Sequence, residues 1–193
     1  MPQIARDSLM TLEAYAKARP EFRRKVLEHK KHRSVAVGPH VTLLFEDELT
    51  VRYQVQEMLR IERVFEPGAI DGELAAYNPL VPDGSNLKAT LLLEYGDPAA
   101  RRQALATLGG IEHRVQARIE GQAPVPAVAD EDLARSVGAK TSAVHFLRFE
   151  FPPGAIAALR QGAGLVIGIE DDRMRVEAAV DAATRASLAQ DFD

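Results

Sequence analysis

The stretch VRYQVQEMLRIERVF, residues 51–65, carries the strongest helical periodicity in the chain. At about 100° per residue its apolar side chains fall on one broad arc, which is typical of a helix that packs on a core. Gln54 and Glu62 lie inside that arc. A carboxylate among apolar groups needs a partner because an unpaired buried charge is costly, and Arg33 and Arg148 are candidates.

The opposite side of this helix predicts a cationic stripe. Arg52, Gln56, Arg60 and Arg63 follow one another there with no acid among them. An ordinary solvated helix mixes acids and bases at i,i+4 spacing, so this stripe is a candidate surface for a partner.

The flanking segments of the first 80 residues predict helices and one hairpin. A helix is expected over residues 8–17 and a second one from Pro20, where a missing N–H costs little in a first turn. Alternation on both sides of Gly38 and Pro39 predicts a β-hairpin. A short helix over residues 70–77 should end at Asn78, because Pro79 follows it.

From Leu87 onward the pattern changes to the period of two that is typical of strands with one buried face. Strands are expected over residues 87–95, 111–120, 142–151, 165–169 and 174–180, with helices over residues 98–108 and 155–161 and a last helix capped by Asp181. His113 and His145 fall on the apolar faces of their strands, and residues 121–133 are expected to form a mobile loop. We therefore predict an α+β fold, with an antiparallel sheet packed on helices including residues 51–65, an N-terminal helical region and a β-hairpin. The chain should be a single domain over residues 1–193, with a helical and hairpin part at 1–80 and a sheet-rich part at 87–193.

Composition narrows the classes of function. The 193 residues include no cysteine, which excludes thiolate catalysis, cysteine-bound zinc and direct cysteine ligation of an iron–sulfur cluster. No apolar run approaches the roughly 20 residues that span a bilayer, and the N-terminus lacks a signal-peptide pattern. We expect a cytoplasmic protein without a membrane anchor.

Charge is unevenly distributed. Residues 1–66 hold 12 Lys or Arg against 10 Asp or Glu, while the remainder holds 12 against 18. The densest basic segment, residues 17–33, predicts either a solvated helix face or a docking surface for an acidic partner. The candidate partner-binding residues are Arg23, Arg24, Lys30, Lys31, Arg52, Arg60 and Arg63. The acidic remainder argues against nucleic acid as the partner.

Motifs for known chemistry are absent, so no catalytic residue or cofactor is assigned. The chain lacks a phosphate-binding glycine loop, the HExxH zinc motif and the GxSxG nucleophile motif. A ligand pocket is predicted from Gln54, Glu62, Tyr77, Asn78 and His145. A mononuclear metal site could combine His145 or His113 with Glu62 or Glu73, and His29 with His32 is a weaker pair.

Several local signatures together resemble a known family. The segments RPEFRRKVLEHKKHRSVAVGP, LLFEDELTVRYQVQEMLRIERV, ELAAYNPLVP, LKATLLLE and SAVHFLRFEF occur in the order that is found in the bacterial DUF3501 family. This family is functionally uncharacterised, so the resemblance supplies no catalytic residue. It implies a small cytosolic protein, often encoded beside a rubrerythrin-like or heterodisulfide-reductase-like iron–sulfur protein.

Three functions follow as hypotheses. The first is a non-catalytic accessory protein that docks through its basic N-terminal surface onto an acidic iron–sulfur or rubrerythrin-like redox protein. The second is an enzyme or binding protein for a small ligand or metal, with a pocket near Glu62, Tyr77 and His145. The third is nucleic-acid binding through the same basic surface.

Overall fold

A computed structural model describes residues 3–193. Over this range the chain forms six α-helices and nine β-strands, joined by short 3-10 helices. The helices are α1 Leu12–Lys30, α2 Glu48–Glu62, α3 Pro67–Tyr77, α4 Pro98–Leu105, α5 Pro153–Arg160 and α6 Ala182–Leu188. The strands are β1 Ser34–Ala36, β2 Val41–Glu46, β3 Asn86–Leu93, β4 Val115–Ile119, β5 Val125–Pro126, β6 Val128–Ala129, β7 Val144–Glu150, β8 Leu165–Asp171 and β9 Met174–Ala179.

The strands form two antiparallel sheets. One sheet has the order β1-β2-β3-β7-β6, and the other has the order β5-β4-β8-β9. β1 and β2 form the predicted hairpin, with Val35 opposite Leu43. The α+β class with antiparallel sheets is therefore confirmed, although the strands divide between two sheets instead of one.

The two sheets share one hydrophobic core. Alternate residues of β3, such as Leu87 and Leu91, are buried in the same cluster as Ala117 of β4 and Ile167 of β8. Burial of each large apolar side chain contributes roughly 1.5–3 kcal/mol, so the period of two along the strands stabilises the sheet pair directly. α5 and α6 also contribute to this core, which confirms the expected packing of helices on a sheet.

Helix α2 packs elsewhere. Its apolar residues Val51, Val55 and Leu59 join a second, smaller cluster with Ile4 and with Leu74 of α3. The expectation that residues 51–65 cover the apolar face of the sheet is wrong, because that face is already covered by the other sheet. Asp47 begins α2 with a capping box, in which its side chain accepts from Thr50 N–H and the Thr50 hydroxyl accepts from Asp47 N–H.

The buried face of α2 also differs from the predicted arc. Gln56 is fully buried, and its amide accepts from Met10 N–H at 2.7 Å and donates to Met10 O at 3.3 Å. Glu62 is exposed instead of buried. The reason is that α2 ends at Glu62, where Arg63 adopts a left-handed conformation with φ of 55°, and Leu59 is the last α2 residue in the core cluster.

The N-terminal helices are one helix. α1 runs through Pro20 without interruption, so the predicted break before this residue is wrong. Packing explains the tolerance of an interior proline: Tyr15 before it and Val26 after it are both fully buried, and α1 packs along α2. Tertiary contacts of this kind override the helix-breaking tendency of one residue.

Two further expectations are corrected. Residues 121–133 are not a structureless loop, because β5 and β6 lie within them and join different sheets. The strand predicted from Ile111 starts only at Val115, since Ile111–Arg114 forms a 3-10 helix that exposes His113.

In the described part of the chain, no helix combines the length and apolar character that crossing a membrane requires.

Candidate functional site

The five residues predicted to bind a ligand are not brought together in one site. Gln54 donates to Glu46 at 3.2 Å, and Asn78 forms hydrogen bonds with both backbone groups of Ile4. Tyr77 lines a pocket of about 590 Å³. Glu62 is exposed, and His145 is fully buried within a different cluster.

The predicted cationic stripe of α2 is largely neutralised by its own helix. Arg52 pairs with Glu48, and Arg60 pairs with Glu57. Neither pair was expected, because Glu48 precedes the predicted helix of residues 51–65 and Glu57 was not counted on this side. Arg63 is exposed.

The basic residues of α1 lie nearer to solvent. Arg23 and Arg24 are exposed and Lys30 is half-buried, while Lys31 just after the helix is exposed and pairs with Glu28. Of the two N-terminal histidines, His29 contacts the Asp47 carboxylate and His32 is exposed. The structure does not bring these two rings to a common ligand cluster among residues 3–193.

His145 is the centre of a buried polar cluster. It lies on β7 and, as its strand alternation predicted, points to the buried side of the sheet. Its Nδ1 is 2.6 Å from Asp130 Oδ2, and its Nε2 is 2.8 Å from Thr141 Oγ1 and 3.1 Å from Ser142 O. Both ring nitrogens thus have fixed neighbours, which orient the imidazole.

Asp130 is held firmly beside this ring. Its backbone has a φ of 52°, a left-handed conformation that aspartate tolerates better than most side chains. Its Oδ1 accepts from Phe146 N–H at 3.0 Å and from Arg135 Nη1 at 3.1 Å, while its own N–H donates to Phe146 O. Residues in such sparsely populated conformations cluster at functional sites.

Glu112 completes the cluster from the other sheet's side. It lies in the 3-10 helix Ile111–Arg114 and is only 2% exposed. Its Oε2 is 4.0 Å from His145 Nε2 and has no hydrogen-bond partner among residues 3–193. Its Oε1 is 3.6 Å from Nε2 of the exposed His113. A buried carboxylate oxygen without a donor is rare, because it loses its hydration without replacement.

A small pocket of about 240 Å³ opens beside the cluster. Ser136 lines this pocket and connects it to the buried His145. Its Oγ is 2.8 Å from Thr141 Oγ1, which in turn contacts His145 Nε2. A continuous chain of hydrogen bonds therefore runs from the pocket wall to Asp130. The pocket is lined by Gly109, Gly110, Glu112, His113, Ala129, Asp130, Ala134, Arg135, Ser136 and Gly138.

The cluster can hold a cation. One ligand atom each from Glu112, Asp130 and His145 lies within 4.8 Å of the others. Sequence reasoning found His145 but paired it with Glu62 or Glu73, and it missed Glu112 and Asp130. Asp130 lay in the predicted loop and Glu112 in a predicted strand, and neither belongs to a spacing motif that would have marked it.

Comparison with known proteins identifies the family but no activity. The family described as "Protein of unknown function (DUF3501)" matches residues 3–192. A crystal structure of a novel protein of unknown function from Burkholderia pseudomallei K96243 is 54% identical, with 100% of both chains covered and a TM-score of 0.94. No curated protein matches this chain. The match over nearly the whole length means that the chain belongs to the DUF3501 family.

Proposed function

We propose that the protein binds a divalent first-row transition metal ion through Glu112, Asp130 and His145. The observation that carries this proposal is the buried, unpartnered Oε2 of Glu112, which faces His145 Nε2 at 4.0 Å. A bound cation would satisfy this oxygen and offset the cost of burying two carboxylates side by side.

The hydrogen bonds of His145 favour one arrangement of ligands. Asp130 accepts from Nδ1 at 2.6 Å, and a hydrogen bond of this kind usually fixes the ring orientation of a metal-binding histidine. Nε2 is then the nitrogen that faces Glu112, and an ion there would compete with the Thr141 hydroxyl at 2.8 Å. Asp130 is then the orienting carboxylate of the site, and Glu112 and His145 Nε2 supply the direct ligands.

The donor atoms narrow the choice of ion. Imidazole nitrogen and carboxylate oxygen suit Mn²⁺, Fe²⁺, Co²⁺ or Zn²⁺, whereas a soft ion such as Cu⁺ prefers the thiolates that this chain lacks. Arg135 offsets part of the negative charge by pairing with Asp130, so a dication is balanced better than a trication.

The neighbouring pocket supports a binding site instead of a closed structural one. Its volume of about 240 Å³ admits a ligand of only a few heavy atoms. Such a ligand would meet the ion on one side and the Ser136 hydroxyl on the other.

Metal titration of the full-length protein tests this function. We expect chelator-treated protein to take up one equivalent of at least one of these four ions and to gain thermal stability. An ion present at 100 times its dissociation constant raises the free energy of unfolding by about 2.7 kcal/mol. Glu112→Gln and His145→Asn should lose this gain, while Glu120→Gln, at an exposed acid, should keep it. Absence of uptake and of any stability change with all four ions would overturn the proposal.

Docking of an acidic protein partner is our second proposed function, as an accessory to an iron–sulfur or rubrerythrin-like redox system. The observation that favours it is a shallow groove of about 800 Å³ between α1 and the start of α2. Met10, Phe22 and Leu49 give this groove an apolar floor, and its charged rim holds Arg24, Lys25 and His29 beside Glu21 and Glu28. An amphipathic helix with acidic flanks would match both features.

The docking function has its own test. Lys25→Glu with Arg24→Glu should abolish co-elution with a purified acidic rubrerythrin-like protein, and binding by the native chain should weaken steeply with salt. Arg101→Glu on the distant α4 is the matched control. Salt-insensitive binding, or preferential binding to DNA, would contradict this mode of docking.

A further inference from the structure

A second pocket lies on the outer face of β3 and β7, opposite to the buried side on which His145 lies. Its volume is about 590 Å³, and its apolar wall comes from Tyr77, Leu80, Phe146 and Leu147. Lys88 and Arg148 also line it, together with Asp83, Glu131 and Asp132. The size suits a small organic molecule with an apolar body.

Lys88 occupies an unusual position in this pocket. It lies in the middle of β3, between Glu46 on β2 and Arg148 on β7. The side chain is half-buried, yet in the described range of 3–193 no carboxylate oxygen lies within ion-pair distance of its Nζ, and no hydrogen bond satisfies it. Two like charges directly opposite each other in neighbouring strands are unfavourable.

The carboxylates around Lys88 accept hydrogen bonds from other side chains. Arg148 binds Glu131 at 2.8 Å and Glu150 at 2.7 Å. Glu46 accepts from the hydroxyls of Thr50 and Thr90. Asp83 likewise accepts from Asn86 Nδ2 at 2.7 Å. The amine is therefore left without a fixed counter-ion inside a partly apolar pocket.

Burial lowers the pKa of Lys88, and the neighbouring Arg148 lowers it further, against the weaker opposite influence of Glu131, Asp83 and Glu150. At neutral pH a larger fraction of the protein molecules therefore carries Lys88 as an unprotonated amine than would be so for an ordinary lysine. Desolvation next to another cation is the usual way in which a lysine becomes a nucleophile.

We propose that Lys88 is a carbonyl-capturing amine, and that its pocket takes a neutral aldehyde or ketone with an apolar body. The Nζ lone pair attacks the carbonyl carbon and forms a C–N bond, and the carbonyl oxygen takes up a proton. The C–O bond then breaks as that oxygen takes up a second proton and leaves as water, and nitrogen loses both of its protons, so amine and carbonyl become imine and water. No oxidant or reductant is needed.

The pocket wall supports this chemistry and sets the class of ligand. Tyr77 lines the same pocket, and burial raises the pKa of Tyr77, so its phenol keeps the proton that it could donate to the departing oxygen. The carboxylates of Asp83, Glu131 and Asp132 disfavour an anionic carbonyl compound such as a 2-oxo acid. This site is distinct from the proposed metal site and does not depend on it.

Reductive trapping on the full-length protein tests the inference, because the five other lysines are internal controls. The protein is treated with benzaldehyde and cyanoborohydride near pH 7, and each lysine peptide is quantified by mass spectrometry. We expect Lys88 to be labelled faster than each other lysine by about tenfold, as for a desolvated amine. Its labelling should also persist to a lower pH than theirs.

Two comparisons make the outcome decisive. Lys88→Arg should remove the fast-labelled peptide while keeping the melting temperature, and Lys140→Arg, at an exposed site, should leave the fast labelling intact. 4-Carboxybenzaldehyde, which is anionic, should label Lys88 much more slowly than benzaldehyde. Labelling of Lys88 at or below the rate of Lys140, or equal rates with both aldehydes, would overturn the proposal. Metal uptake is measured separately, so neither result decides the other.

Discussion

Arg33 and Asp191 form a buried ion pair that joins two ends of the chain, across a sequence separation of 158 residues. Arg33 follows α1, and Asp191 lies in the last 3-10 turn after α6. The same guanidinium donates to the carbonyl oxygens of Phe45 and Glu46 at 3.0 Å each, and it lies 3.4 Å from Asp47. The Arg33 cation is therefore shared between the carboxylates of Asp47 and Asp191, which leaves Asp191 short of compensating positive charge.

Asp191→Asn should change how stability depends on pH. Burial raises the pKa of Asp191 to about 6, because it outweighs the attraction of Arg33. Since the folded state then holds this proton more tightly than the unfolded state, the contribution of Asp191 is complete below pH 4 and falls as pH rises through 6. The stability of the native chain relative to Asp191→Asn should fall by on the order of 2 kcal/mol between pH 4 and 7. Urea denaturation of both proteins measures this difference, and a rise with pH would mean that Arg33 keeps the carboxylate ionised.

Glu57→Gln should loosen the contact between α1 and α2. Glu57 accepts from Tyr15 Oη at 2.6 Å and from Arg19 Nε at 2.7 Å, and Arg60 also binds it. The hydrogen bond from Arg19 is the main reason that the pKa of Glu57 falls to about 2. Because this pKa is lowered, its contribution is present above about pH 4.5 and disappears as pH falls toward 2. We expect the free energy of unfolding of Glu57→Gln to be lower than that of the native chain by about 1–2 kcal/mol at pH 7, allowing for solvent screening.

The matched control for this change is Glu13→Gln, which removes an exposed pair with Lys17 on the same helix. Exposed i,i+4 pairs contribute about 0.3–0.5 kcal/mol, so this variant should unfold at nearly the native urea concentration. Equal losses for both variants would show that the link to α2 adds nothing.

The long strands could be predicted from sequence because their alternation is local, whereas the short strands β5 and β6 and the buried face of α2 could not. Val51, Val55 and Gln56 are buried, while Glu62 at a compatible helical angle is exposed. Gln56 is buried because the Met10 backbone, far away in sequence, supplies both of its hydrogen-bond partners. No periodicity within the helix carries that information.

The candidate metal site was predictable only in part, for a similar reason. His145 was expected to point inward from its strand, and it does. Glu112 and Asp130 come from a 3-10 helix and from the turn after β6, whose positions depend on how the two sheets pack. Three residues from three separate elements leave no spacing motif in the sequence.

Gly109→Ala should disrupt this site through the backbone. A Cβ at this position would lie 2.2 Å from Gly138 O and 2.6 Å from the carbonyl carbon of Ala139, both of which are backbone atoms. The loop that carries Ser136 and Thr141 would have to move. We therefore expect the free energy of unfolding to fall by about 1–3 kcal/mol, as for overpacking of a core. Gly72→Ala is the control, because it adds a methyl group in open space within α3 and should raise stability by up to about 1 kcal/mol. Thermal unfolding of the two variants measures the contrast, and a native melting temperature for Gly109→Ala would mean that the loop yields without cost.

Thr141→Val should separate the structural part of the His145 cluster from its proposed metal-binding part. Thr141 is only 3% exposed, and its hydroxyl lies 2.8 Å from both His145 Nε2 and Ser136 Oγ. Valine keeps the shape but removes two hydrogen bonds, so we expect a loss of about 1–3 kcal/mol in the metal-free protein, while Thr141→Ser should recover most of it. Because a metal ion at Nε2 would displace this hydroxyl, Thr141→Val should bind the ion at least as tightly as the native chain does. Calorimetric titration of both variants measures this affinity, and loss of binding in Thr141→Val alone would show instead that the hydroxyl is itself a ligand.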